Sequence, residues 1–316
     1  MDAYIVAILT VSAIYAVLAL ALNLQFGTTG LINFGVVGFY GLGAYTSGLV
    51  TLGFDAPFVV GLLAAMAAGA LAGAALASLS LRLAGDFLAI VTLGFAEAVR
   101  LVLNNEDWLT GGPRGLLIQE RPIPAGLDRD TTSYFYLLLV LLLLAATLIV
   151  LSRLSRSPYG RVLRAIREDD LVPATLGKPV FTYRLQVFVI GSMVMAAAGS
   201  FYAHYVQTIT PDNFITPVAI LVWMSVVVGG AGNNLGVMLG ALVVTLIYEG
   251  TRFIAPLAGW MSAEQVSSLR FIIIGLLLIV AIRFRPEGLL PERPVAPAPD
   301  PRVVPPPPVP PGNMRG

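Results

Sequence analysis

Residues 153–184, RLSRSPYGRVLRAIREDDLVPATLGKPVFTYR, decide how this chain is organised. They gather seven basic residues, Arg153, Arg156, Arg161, Arg164, Arg167, Lys178 and Arg184, around Glu168, Asp169 and Asp170. Long apolar runs flank the segment on both sides, so it reads as a loop between membrane spans. Basic loops resist translocation, which places it on the cytoplasmic face. The loop also has internal pattern. Val162, Leu163 and Ile166 recur at helical spacing, with Arg161, Arg164 and Arg167 on the remaining surface. Asp169 and Asp170 then precede LVPATLG, where Pro173 suits the first turn of a second short helix and Gly177 its C-terminal cap. Two such helices need a surface to cover them. The Glu168–Asp170 acidic cluster is unsuited to anionic headgroups, so the expected cover is a protein partner.

The rest of the composition agrees. Of 316 residues, 57% are hydrophobic and 12% charged, and the mean hydropathy is +0.84. Soluble domains carry about 25% charged residues. The reading is an all-α integral membrane protein. The chain has no cysteine, which excludes disulfides and thiolate metal sites. Its single histidine, His204, cannot build a ligand cluster. The N-terminal MDAYIVAILTV lacks a basic flank before its apolar run and reads as a retained first span, not a cleaved leader.

A crossing needs about 20 apolar residues. About nine candidate spans emerge, at 4–25, 32–52, 57–80, 86–104, 133–152, 185–206, 217–230, 235–254 and 268–284. The segment 217–230 is short and ends in a Gly/Asn cluster, so it is the candidate for a half-span or a re-entrant segment. With 153–184 inside, alternation delivers Arg283 and Arg285 inside, leaves 105–132 outside and puts the N-terminus outside. Residues 1–285 thus form the transmembrane domain. From Pro286 to the end the sequence is proline-rich without apolar patterning, which predicts a disordered cytoplasmic tail over 286–316.

Small residues crowd the second and third spans. GLINFGVVGFYGLGAY (30–45) holds Gly30, Gly35, Gly38, Gly41 and Gly43 together with Asn33 and Tyr45. Such residues either let helices approach closely or permit a broken helix lining a solute path. Gly229, Gly230 and Gly232 pose the same alternative later in the chain. Ionisable residues within spans are functional candidates by default. Glu97 and Arg100 are three apart, as are Glu249 and Arg252, so each pair shares a helix face. Local neutralisation is one reading; a Glu97 or Glu249 facing the path is the other. His204, beside Tyr202 and Tyr205, reads as an interfacial hydrogen-bonded histidine. In 105–116, NEDWLTGGPRGL, the Gly-Gly-Pro predicts a turn outside, with Trp108 as an interface anchor. No phosphate-binding glycine loop, catalytic triad or zinc-ligand spacing occurs. No catalytic, cofactor-binding or metal residue is expected in this chain, and nothing points to nucleic acid.

Four blocks carry a resemblance: GLINFGVVGFYGLGAY (30–45), LTGGPRGL (109–116), SPYGRVLRAIREDDLVPATLG (157–177) and VVVGGAGNNLGVMLGA (226–241). In order and spacing they resemble the permease subunits of branched-chain amino acid ABC importers, a family that includes urea and short-amide importers. The resemblance covers nearly the whole membrane portion and leaves out the proline tail. Within the third block the family has two small residues where Val172 and Pro173 stand here. It implies a second, similar permease, two cytosolic ATPase subunits that carry ATP and Mg, and a periplasmic substrate-binding protein, in a bacterial inner membrane. It implies that Tyr159, Gly160, Arg161, Arg164, Ala165, Arg167, Glu168, Asp169, Asp170 and Gly177 form an ATPase-coupling loop. It leaves Thr110, Gly111, Gly112 and Gly115 as candidates for docking the binding protein. A stand-alone channel or ion-coupled carrier is the rival class, and Glu97 and Glu249 are what it would use.

Overall fold

The computed structural model describes residues 2–81, 85–118, 122, 128–257 and 287–292, with isolated positions between 272 and 285. The expected ninth span, 268–284, falls largely outside the described residues. The described chain is built from helices: α1 (Asp2–Thr29), α2 (Val36–Phe54), α3 (Phe58–Ser80), α4 (Gly85–Asn105), α5 (Asp107–Thr110), α6 (Arg129–Arg156), α7 (Pro158–Glu168), α8 (Leu171–Thr175), α9 (Val180–Val206), α10 (Thr216–Gly229) and α11 (Asn234–Leu257). Two short strands, β1 (Leu116–Leu117) and β2 (Thr208–Ile209), pair antiparallel.

Among the described residues, seven helical segments are long and apolar enough to cross a bilayer, and the apolar part of α11, Asn234–Gly250, is shorter. The segment singled out as short is helical over Thr216–Gly229 and is preceded by a 3-10 turn at Pro211–Asn213. At 1.5 Å per residue, 14 residues rise only about 21 Å.

α1 is the central helix. From Ile14 to Leu24 nearly every apolar side chain is buried, because α6, α9, α10 and α11 all pack around it. A helix apolar all round is stable only when enclosed in this way. α2, α3 and α9 form a second tight group, held by small residues. A Cβ at Gly43 of α2 would lie 2.1 Å from the Ala196 carbonyl oxygen of α9, and one at Gly199 of α9 would lie 2.0 Å from the Tyr40 carbonyl oxygen. Ser47 and Ser200 bridge the same two helices at 2.7 Å. Close packing is therefore what these glycines do; α2 runs unbroken.

Three expectations are corrected. α2 starts at Val36, not at 32, because Gly30 has φ +75° and the Asn33 side chain accepts from the Gly35 N–H at 2.7 Å, ending α1 and capping the turn. The second concerns His204, which makes its expected hydrogen bond within the bundle. It is fully buried, its Nδ1 lies 2.9 Å from the Ser200 carbonyl and its ring stands edge-on to Phe58, because α3 covers that face of α9. The third concerns the tail: Glu287–Glu292 is folded against the bundle, since it supplies hydrogen bonds to the end of α10. Residues 293–316 lie outside the described residues.

Candidate functional site

At the basic end of the bundle, α7 and α8 form a small platform. α7 begins where Ser157 accepts from the Gly160 N–H and Pro158 occupies the first helical position. Gly160, Leu163 and Ile166 face inward. Gly160 sits so close to the Ser155 carbonyl that a Cβ there would lie 2.1 Å from it. Ala165 is half-buried, and Tyr159 packs at a tilt against Tyr183 of α9 and donates to Gln186 at 3.1 Å. Burial, helped by Tyr183, pushes the Tyr159 phenol up to about 12, so it remains a donor at physiological pH. Arg161, Glu168, Asp169 and Asp170 face outward. Asp170 pairs with Arg184 at 3.1 Å, and Asp169 accepts from the Leu171 N–H at 2.9 Å. α8 closes with Gly177 at φ +73°, the left-handed exit its sequence predicts. Pro173 is buried, while Leu171, Val172 and Leu176 are 70%, 53% and 74% exposed. Three apolar side chains on a polar rim are an uncovered contact surface.

A polar belt lies behind the platform. Asn23 of α1 donates to Asn234 of α11 at 2.8 Å and accepts from the Gly232 N–H at 2.8 Å. Asn234 in turn donates to Ser152 of α6 at 3.1 Å. Gln25 donates to the Phe188 carbonyl of α9 at 2.9 Å and accepts from Asn33 at 2.7 Å. Trp223 of α10 donates to the Asn33 carbonyl at 3.0 Å, and Thr92 of α4 accepts from the Phe34 N–H at 3.0 Å. Five helices are thereby joined to α1 or to the α1–α2 connection: α6, α9 and α11 through α1, and α4 and α10 through Phe34 and Asn33. Buried polar networks of this kind fix one arrangement when every member is satisfied. Arg167 reaches into the same region and donates to the Gly27 carbonyl at the end of α1.

Sequence reasoning singled out Asn33 but missed Asn23, Gln25 and Asn234. The available signal was amides recurring at 23 and 25 inside an otherwise apolar run. Gly229 packs against Gly236, and Gly230 and Gly232, with φ +104° and +89°, make the α10–α11 turn. These are connections between helices, not breaks within one.

The opposite end carries the β1–β2 pair and the glycine turn. Thr110 Oγ1 lies 2.7 Å from the Leu103 carbonyl, and Gly112 donates its N–H to that oxygen at 3.3 Å. The Asp107 carboxylate fills the space where a Gly112 side chain would project, and Gly115 touches the Ile209 carbonyl. Gly111 caps α5. Exposed Trp108 donates to Glu106 at 2.6 Å. Beside this cap is a cavity of about 380 Å³ lined by Tyr4, Tyr15, Tyr202, Tyr248, Asp212 and Glu249 among others. Gly38 packs on Ala96, Gly41 on Phe214, and buried Tyr45 donates to the Ile209 carbonyl at 3.5 Å. The Arg252 side chain lies outside the described residues, so the Glu249–Arg252 pair does too.

Glu97 and Arg100 do pair, at 2.5 Å, on the exposed face of α4, with side chains 48% and 26% accessible. Each neutralises the other. Removing both members of an ion pair is far milder than removing one. The double variant Glu97→Gln/Arg100→Gln is therefore expected to accumulate in membranes within about twofold of the parent level, while either single change does worse. A double variant as depleted as the single ones would mean that the two charges do more than neutralise each other.

The apolar bundle and polar loop define a multi-pass, all-α integral membrane protein, and comparisons with known proteins narrow it. Residues 4–282 match the family described as branched-chain amino acid transport system / permease component. The chain is 34% identical to the high-affinity branched-chain amino acid transport system permease protein LivM of Escherichia coli, over 90% of this chain and 69% of that protein. It is 27% identical to the probable LivM of Methanocaldococcus jannaschii, over 89% and 92%. A LivH permease of Salmonella typhimurium is 24% identical over 89% and 92%. No solved structure matches. The chain belongs to the branched-chain amino acid transport permease family.

Proposed function

We propose that this chain is the transmembrane permease subunit of an ATP-driven importer of branched-chain or related amino acids in a bacterial inner membrane. A second, similar permease pairs with it, two cytosolic ATPase subunits carry the ATP and Mg, and a periplasmic binding protein delivers solute. The observation that carries the reading is the α7–α8 platform, with Leu171, Val172 and Leu176 exposed on an otherwise polar surface. Apolar side chains left uncovered at a charged rim fit a protein partner better than water or headgroups. The platform is the ATPase-docking element. The glycine turn at Thr110–Gly115 is the docking edge for the binding protein, and the cavity beside it receives the solute.

Transmission follows from how the platform is held. Leu163 and Ile166 anchor α7 in the bundle, and Arg167 ties it to the end of α1. A push on the platform therefore moves α1, and the amide belt carries the motion to α6, α9, α10 and α11. Alternate tilting of these helices opens one face while closing the other.

Reconstitution tests this. The complete transporter in proteoliposomes is expected to take up aliphatic amino acids only with ATP. Arg164→Glu or Glu168→Arg lowers uptake by roughly tenfold, the size expected when charge complementarity at an interface is reversed, with membrane levels of the chain unchanged. Undiminished uptake in both variants would sink the docking role. Uptake by the purified chain alone would replace it with a stand-alone carrier, and uptake of urea or amides in preference would reassign the substrate.

A further inference from the structure

The segment after the last expected span does not simply leave the protein. Leu289 donates its N–H to the Val228 carbonyl at 2.8 Å, and Leu290 donates to the Gly229 carbonyl at 3.1 Å. These are carbonyls at the end of α10, which a helix terminus leaves without intrahelical partners. Gly288, buried and at φ +79°, lies so close to Gly230 that a Cβ would be 2.3 Å from its backbone. Asn233 donates to the Pro291 carbonyl at 3.0 Å. Glu292 then lies over Gly232 and pairs with Arg167 of α7 at 2.8 Å, with side chains 23% and 27% accessible.

Three hydrogen bonds, one ion pair and two close backbone approaches within six residues specify this placement. They also join two elements that the chain keeps far apart. Arg167 holds the end of α1 through the Gly27 carbonyl and the C-terminal segment through Glu292. The segment in turn caps α10 and touches the α10–α11 turn.

We infer that Glu287–Glu292 is a cytoplasmic strap binding the coupling helix α7 to the α10–α11 turn, with Glu292 a positioning residue that makes movement of α7 move α10 and α11 as well. The inference rests on the reading of α7 as the ATPase-docking element. It assigns transmission two routes out of α7, one through α1 and one through the strap.

The test has a structural and a functional arm. Because the chain lacks cysteine, Arg167→Cys/Glu292→Cys can be treated with a short bifunctional thiol reagent in membranes containing the whole transporter. Cross-linking between α7 and the strap is expected, and its absence overturns the inference. In proteoliposomes, Glu292→Gln is expected to leave ATP hydrolysis near the parent rate but cut uptake per ATP hydrolysed by roughly fivefold, the low end of coupling between sites. Glu292→Asp, which keeps the charge, recovers most of it. An unchanged uptake-to-hydrolysis ratio in Glu292→Gln, with Arg164→Glu still defective, overturns the strap alone. If Arg164→Glu and Glu168→Arg are also both without effect, the docking reading fails and the transmitting role of the strap fails with it.

Discussion

Replacing Leu171 and Leu176 together with Asp is expected to detach the ATPase subunits and abolish ATP-driven uptake. The two side chains stand at the start of α8 and just past its end, at 70% and 74% exposure, so neither contributes to the fold of the chain itself. Covering one such side chain contributes about 1.5–3 kcal/mol, and central apolar anchors of an interface cost 2 kcal/mol or more when lost. Aspartate would also add charge beside Asp169 and Asp170, a repulsion that a partner surface cannot escape by repacking. The combined effect is on the order of 100-fold or more in association. The measurements are the yield of ATPase subunits co-purified from solubilised membranes and uptake in proteoliposomes, with the membrane level of the chain as the control. Normal co-purification with normal uptake would mean that α8 is not where the partner sits.

The largest loss of stability is expected from Gly43→Leu. Its first side-chain atom would already be 2.1 Å from the Ala196 carbonyl oxygen, and that atom belongs to the backbone of α9, which cannot rotate away. The same helix pair is held by the Gly199–Tyr40 approach and the Ser47–Ser200 bridge, so separating α2 from α9 loosens all three. Overpacking typically costs about 1–3 kcal/mol and occasionally more; a helix–backbone clash belongs at the upper end. A lowered melting temperature in detergent and loss of the monodisperse fraction are the expected readouts. Gly94→Ala is the matched control, because nothing lies within 4 Å of its would-be Cβ and alanine favours a helix by about 1 kcal/mol. Equal behaviour of the two variants would mean that α2 and α9 are not in close contact.

Much of this was readable before any fold was seen. The apolar run lengths located the long helices of the described residues to within about five residues, since each had to hide its backbone from hydrocarbon. The two short loop helices were legible because Pro173, Gly177 and the Val162–Ile166 spacing act locally. The alternative at Gly35–Gly43 was not decidable from sequence. A glycine signals that something comes close or bends, and only the partner helix says which. Glu97 was ambiguous for the same reason, until its pairing with Arg100 on an exposed face was seen. The burial of His204 was not legible because its surroundings come from Phe58, far away in the chain.

Composition and patterning alone determined that the chain lives in a membrane, roughly where the described long helices run, and that a structured polar connection, 157–179 between α6 and α9, lies within the basic segment 153–184. Those properties follow from each residue's own transfer free energy and backbone preference, which neighbours in sequence suffice to express. Tertiary structure decided that Asn23, Gln25 and Asn234 form a belt, that Gly43 and Gly199 are contact points, and that Glu292 reaches Arg167 across 124 intervening positions of chain. Hydrogen bonds and close packing act over a few ångströms. Which distant residues come within that range depends on how the helices are arranged around α1, and a linear pattern of hydropathy carries no record of it.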